Sequence, residues 1–123
     1  MANSAAASER VFKTAWVSKA AKKAHIGDDV LCAAIRQVML GQADDLGGGV
    51  LKKRLNKNRH RSIIVAKGRQ YWVYAYLFAK KDSANIDNDE LVDFRGLADL
   101  YARKTYADIA KEIHLKELVE ICL

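Results

Sequence analysis

The stretch that most limits what this chain can become is RSIIVAKGRQYWVYAYLFAK, residues 61–80. A β-branched run and an aromatic run flank Lys67-Gly68-Arg69. Both runs have the composition of strands, and Gly68 suits a tight turn. A connection this short makes the two strands antiparallel neighbours. Residues 50–56, VLKKRLN, read as a third strand, joined by a turn at Asn56–Arg59. Side chains alternate across a strand. Leu51, Lys53 and Leu55 therefore share one side, and Lys52 and Arg54 share the other, about 7 Å apart. By the same alternation Trp72, Tyr74, Tyr76, Phe78 and Lys80 form one ladder, and Tyr71, Val73, Ala75, Leu77 and Ala79 the opposite one.

The flanking segments read as helical. Residues 10–14 form a short strand. From Ala15 to Ile26, Trp16, Ala20 and Ala24 recur with Val17 and Ala21 as an apolar stripe, with Lys19, Lys22 and Lys23 opposite. Gly27 ends this helix, and Asp28 caps a second one that runs to near Gly41. ADDLGGG, residues 43–49, reads as a flexible loop. It is no phosphate cradle, because no GK[ST] follows and the next element is a strand. After Phe78, the acids of residues 87–90 suit a helix start, followed by a stripe of Leu91, Phe94, Leu97, Ala98 and Tyr101. Thr105 and Asp108 form a capping box for a last helix with Ile109, Ala110 and Ile113 inward. The tail LVEICL adds a short strand or docks on the core. This is an α+β chain: a small antiparallel sheet, an N-terminal helical hairpin and C-terminal helices. Residues 9–123 make one domain, after a leader or cloning scar at residues 1–8.

At 123 residues the chain buries enough surface to need no staple. Cys32 and Cys122 form no CxxC and no ligand set with the three histidines, so a zinc site and a disulfide scaffold are excluded and a reducing, cytoplasmic compartment is expected. No apolar run is long enough for a membrane span. No metal or other cofactor is called for.

The charge is more telling than its net value of +6. Between Lys52 and Lys81 lie ten Lys or Arg and no acid, a footprint for a polyanion. Arg59, His60 and Arg61 open the middle strand, while Lys80 and Lys81 close the next. These ends lie side by side, near Lys52 and Arg54. Crowded cations repel a further proton, so His60 or a lysine of the cluster is a candidate base.

The runs GGGVLKKRL, HRSIIVAKG and YLFAKKDSANIDNDEL resemble the RelE/ParE superfamily of type II toxin–antitoxin systems, in its HigB-like RelE branch. The resemblance covers roughly residues 9–123. It implies a strand, two helices and a small antiparallel sheet, and it implies a metal-independent, ribosome-associated mRNA endoribonuclease. It also implies three kinds of partner: a co-encoded antitoxin expected to bind DNA, mRNA and the ribosome. The family's basic strand residues fall on Lys52 and Arg54, the arginine opening its next strand on Arg61, and the final basic pair on Lys80 and Lys81. In such an enzyme the RNA's own 2′-OH attacks phosphorus. Arg61 and Lys81, both surface charges outside the apolar stripes, would hold the phosphate, Lys52 or His60 would be the base, and Lys80 or Arg54 the acid or a positioning group. An arginine stays protonated and cannot be the base. Lys53, Lys57, Arg59 and Tyr76 would bind RNA around the site. A gyrase inhibitor like the ParE relatives, or a nucleic-acid-binding module without activity, are the competing readings.

Overall fold

The computed structural model describes residues 9–68 and 70–123. The expected leader at residues 1–8 and Arg69 of the expected turn lie outside the described residues. In chain order the elements are β1 (Arg10–Thr14), α1 (Ala15–Lys23), α2 (Asp28–Met39), β2 (Asp44–Gly47), β3 (Val50–Leu55), β4 (His60–Val65), β5 (Tyr71–Ala79), α3 (Asn88–Arg103), α4 (Tyr106–His114) and β6 (Leu118–Ile121). The six-stranded sheet has the order β2-β3-β4-β5-β1-β6. β1 runs parallel to β5, and the other neighbours are antiparallel. The fold is α+β as expected, with one parallel pair at the junction of the N-terminal strand and the central hairpin.

Helix starts follow local chemistry. Thr14 caps α1 by accepting from the Val17 amide at 3.1 Å. Capping boxes open α3 (Asp87 with Glu90) and α4 (Thr105 with Asp108). Gly27, and not Asp28, is the cap of α2; Asp28 sits inside its first turn and takes the Lys13 ammonium at 2.7 Å.

The sheet is covered on both faces. Val17, Leu31, Ile35, Trp72 and Tyr74 fill the core under α1 and α2, where the Tyr74 hydroxyl donates to the Leu31 carbonyl at 2.6 Å. Phe12, Ile63, Val73, Ala98 and Ile109 fill the core under α3 and α4. Ala110, expected inward, is exposed, since the short α4 turns only Ile109 fully into the core.

Four further expectations are corrected. First, the aromatic ladder is broken. Ile63 pairs with Tyr76 but Ile64 with Tyr74, so Ala75 is an extra residue in β5. A bulge of this kind flips the alternation. Trp72 and Tyr74 consequently pack under α1 and α2, whereas Tyr76 and Phe78 pack towards α3. Second, Asp44–Gly47 is a strand and not a loop: it pairs with β3, Asp44 opposite Lys52. Third, Trp16 is 51% exposed; α1 buries Val17 and Ala21 instead. Fourth, Cys32 and Cys122 are joined in a disulfide, 90 residues apart in sequence. β6 lies beside β1 at the sheet edge, which carries the C-terminus back to α2.

Candidate nucleic-acid interface

Lys52, Lys53 and Arg54 sit on β3 and Arg61 on β4, where strand pairing decides which face each one uses, while Lys57, Arg59, Lys80 and Lys81 lie in the turns at the strand ends. Lys52 lies opposite Ile63, and Ile63 opposite Tyr76. Arg54 lies opposite Arg61, and Arg61 opposite Phe78. Directly paired residues share a face, so Lys52, Arg54 and Arg61 lie on the α3 side together with Tyr76 and Phe78. The neighbouring rows, Lys53–Ser62–Leu77 and Leu55–His60–Ala79, face the helical hairpin. The sheet therefore divides the cations that the sequence groups together.

On the α3 side the three cations have different freedom. Arg54 is exposed. Lys52 Nζ donates to Asn85 Oδ1 at 3.3 Å and lies 3.7 Å from Asp44 Oδ2. Arg61 is only 6% exposed, against the expectation of a surface charge. Its Nη1 donates to the Asn58 carbonyl at 3.0 Å and the His60 carbonyl at 3.3 Å. These bonds pin a turn in which three successive residues, Asn56, Lys57 and Asn58, have φ of 51°, 55° and 68°. Asparagine tolerates this left-handed region; lysine does so at a cost. The Arg61 guanidinium is thus part of the scaffold that presents Lys57 and Arg59.

At the end of the sheet this turn, the residues after β5 and the last turn of α1 enclose a cleft of about 810 Å³. It is lined by Lys23, Lys57, Arg59, His60, Lys80 and Lys81. An adjoining hollow of about 650 Å³ continues past His60 to Tyr76, Phe78 and Asp82. The Lys80 amide donates to the Arg59 carbonyl at 2.9 Å, which ties the two rims together. Among the described residues none of the five cleft cations is in an ion pair. Lys53, on the hairpin side, donates to the Gln42 carbonyl at 2.9 Å and stays out of this cleft.

His60 is the one imidazole that lines the cleft. Burial, and then the positive charges of Arg59 and Lys81, hold its imidazole below the ordinary histidine pKa of 6.5, with Asp82 acting the other way. Asn56 Nδ2 lies 3.1 Å from Nδ1, so in this orientation Nδ1 accepts from the amide and Nε2, the nitrogen left for the cleft, carries the proton of the neutral ring. The amide's orientation sets the tautomer: an oxygen against Nδ1–H leaves Nε2 a base, whereas a nitrogen donor against Nδ1 leaves Nε2–H an acid.

The sequence reading missed Lys23 and Asn56. Lys23 reads there as part of a solvated helix face, because only the tertiary approach of α1 to the β4 and β5 ends gives it neighbours. Asn56 reads as a turn residue, which it is; its contact with His60 depends on the left-handed turn. No group of three or more His, Cys, Asp or Glu among the described residues could hold a metal ion. No helix among them is long and apolar enough to cross a membrane.

A small α+β domain with a cation-lined sheet end is the class of protein that the sequence motifs implied. The chain belongs to the RelE toxin family: residues 9–121 match the family described as the RelE toxin of the RelE / RelB toxin–antitoxin system. An antitoxin is therefore its implied partner. No curated protein and no solved structure matches the chain.

Proposed function

We propose that this toxin is a metal-independent mRNA endoribonuclease, acting in the cytoplasm on ribosome-associated message and silenced by an antitoxin that also binds DNA. The observation that carries the reading is a pKa-lowered histidine among unpaired cations in an open cleft. Such a site offers a neutral base at pH 7 and positive charge for a phosphorane.

The residues divide the work as follows. With the Asn56 amide turned so that its oxygen accepts from Nδ1–H, His60 Nε2 takes the proton of the RNA 2′-OH as the 2′-oxygen attacks phosphorus. Lys81 and Arg59 hold the non-bridging oxygens as their negative charge grows. The bond to the 5′-oxygen breaks, and Lys80 supplies the proton that oxygen needs. The products are a 2′,3′-cyclic phosphate and a 5′-hydroxyl. Lys57 extends the phosphate contacts. Arg61 holds the Asn56–Asn58 turn and so positions Lys57 and Arg59. Arg54, Lys52 and Lys53 lie outside the cleft and act as flanking contacts for RNA. DNA lacks the nucleophile and is not cut.

The test is inducible expression in a bacterium with mapping of mRNA 5′ ends. New 5′-hydroxyl ends that vanish in His60→Gln are expected. Loss of DNA supercoiling without new mRNA ends would favour a gyrase inhibitor. Normal growth with folded protein and neither effect would leave a binding module.

A further inference from the structure

Trp16 is the feature of α1 that the cleft chemistry does not absorb. β1 ends at Thr14 and pairs with β5 only as far as Tyr74. β5 continues to Ala79, so its last residues have no strand neighbour on that side. The first turn of α1 fills the gap. The Trp16 ring lies 4.8 Å from the Tyr76 ring, centroid to centroid, at 33°. Tyr76 in turn lies 5.5 Å from Phe78 and 5.7 Å from Phe94. The result is a cluster of four rings whose outermost member is half in solvent. Tyr76 also lines the hollow that joins the cation-lined cleft, together with Ala20 and Lys23 of α1. Residues 16, 20 and 23 are spaced by four and three, so they lie along one helix face. Lys23 and Tyr76 line this hollow with Lys81, and the exposed Trp16 indole stacks on Tyr76 at its margin.

We propose that Trp16 and Lys23 form a subsite for single-stranded RNA next to the reacting phosphate, the indole stacking on one base and the ammonium contacting the backbone. The proposal rests on the reading of the cleft as an RNA site and adds the nucleotide that flanks it. Cations interleaved with exposed rings are what single-strand binding uses, since every base has a face to stack. An acidic protein segment would use the cations and gain nothing from the ring. The purely structural task of Trp16, shielding Tyr76, needs only an apolar side chain.

That difference makes the test. The full chain is titrated with a 2′-O-methylated RNA oligonucleotide, which has no attacking hydroxyl, while tryptophan fluorescence is followed. Trp72 is only 2% exposed, so quenching on binding reports Trp16, and Trp16→Phe should bind nearly as well without the quench. Trp16→Leu keeps the apolar cover and should weaken binding about tenfold, within the range of one base–aromatic stack, with the melting temperature retained. Lys23→Gln should lower the slope of log affinity against log salt by about 0.7, one phosphate on a single strand. Lys22→Gln, on the same helix but turned away from residues 16, 20 and 23 and outside the cleft, should change neither. If Lys81→Ala weakens binding and Trp16→Leu does not, the subsite is refuted and the cleft reading survives. If the wild-type chain binds no oligonucleotide, the subsite is refuted outright, and mRNA end mapping decides the nuclease reading separately. If Trp16→Leu loses affinity for the antitoxin and keeps it for RNA, the platform belongs to the protein partner and the proposal fails.

Discussion

Replacing Arg61 should destabilise this protein as much as it disarms it. The guanidinium is almost fully buried and donates through Nη1 to two carbonyls, those of Asn58 and His60. In Arg61→Met the stem is kept and the donors are lost. Hydrogen bonds from a charged donor contribute about 1.5–3 kcal/mol each. Here one nitrogen serves both acceptors, and the second bond at 3.3 Å is the longer. Two effects offset the loss: a cation is no longer buried, and Arg54, its cross-strand partner, loses a like charge on its own face. The net cost is then about 1–3 kcal/mol. A domain of this size gains roughly 0.24 kcal/mol/K of unfolding entropy, from about 2.1 cal/mol/K per residue. The melting temperature should therefore fall by about 4–12 °C. Circular dichroism melts at fixed pH and salt measure it, with urea unfolding as a second reading of the same difference. An unchanged melting temperature would refute the scaffold role and return Arg61 to the surface. Any loss of toxicity in an Arg61 variant must be weighed against this cost, which makes Lys81 the cleaner probe of the site.

Lys81→Ala should abolish mRNA cleavage by about 10²–10³-fold with little change in melting temperature, since the side chain is exposed; Lys67→Ala, at the far hairpin and paired only with Asp99, should stay toxic, and equal loss in both would reduce the site to a diffuse field. The His60 ring should titrate below 6.5 by NMR and rise in Lys81→Met, because a repelling charge is gone; a group whose folded pKa is lowered favours the folded state when neutral, so stability should fall as pH drops through about 6.5, and His60→Gln should flatten that slope. Reducing the Cys32–Cys122 bond, which closes a segment of 90 residues, should cost about 2–4 kcal/mol; equal melting temperatures with and without reductant would show that the cross-link is absent in the protein as made.

Much of this was legible along the chain because it is local. Caps at Thr105 and Asp87, the three central strands and the facing of Lys52 and Arg54 follow from neighbours a few residues away. What failed was non-local. Strict alternation cannot anticipate the extra Ala75, since nothing in YWVYAYLFA marks a bulge with glycine or proline. Asp44–Gly47 has poor strand composition and becomes a strand only because β3 supplies partners, Lys52 among them. Cys32 and Cys122 meet because β6 is carried to the outer side of β1, an ordering that residue spacing does not contain. Arg61 reads as a charge opening the middle strand, and its burial depends on a left-handed turn folding back over it.

The bulge and the end of β1 fall at the same level of the sheet, and their coincidence accounts for the cleft. Up to Tyr74, β5 has a strand on each side, and its rings alternate into two closed cores. Beyond Ala75 the strand neighbour is replaced by a helix, which is wider than a strand and cannot hydrogen-bond to the sheet edge. The α1 axis must stand off from β5, and the space between them is lined by whatever the two strand ends carry. Here they carry Arg59, His60, Lys80 and Lys81. Had β1 continued for another four residues as a strand, α1 would not stand beside these strand ends, and Lys23 and Ala24 would not wall the cleft. Burial is the largest cause of the lowered His60 pKa, and that wall contributes to it. The switch from strand to helix at Thr14–Ala15 is thus what turns a row of basic residues into a site able to hold a neutral base among positive charges.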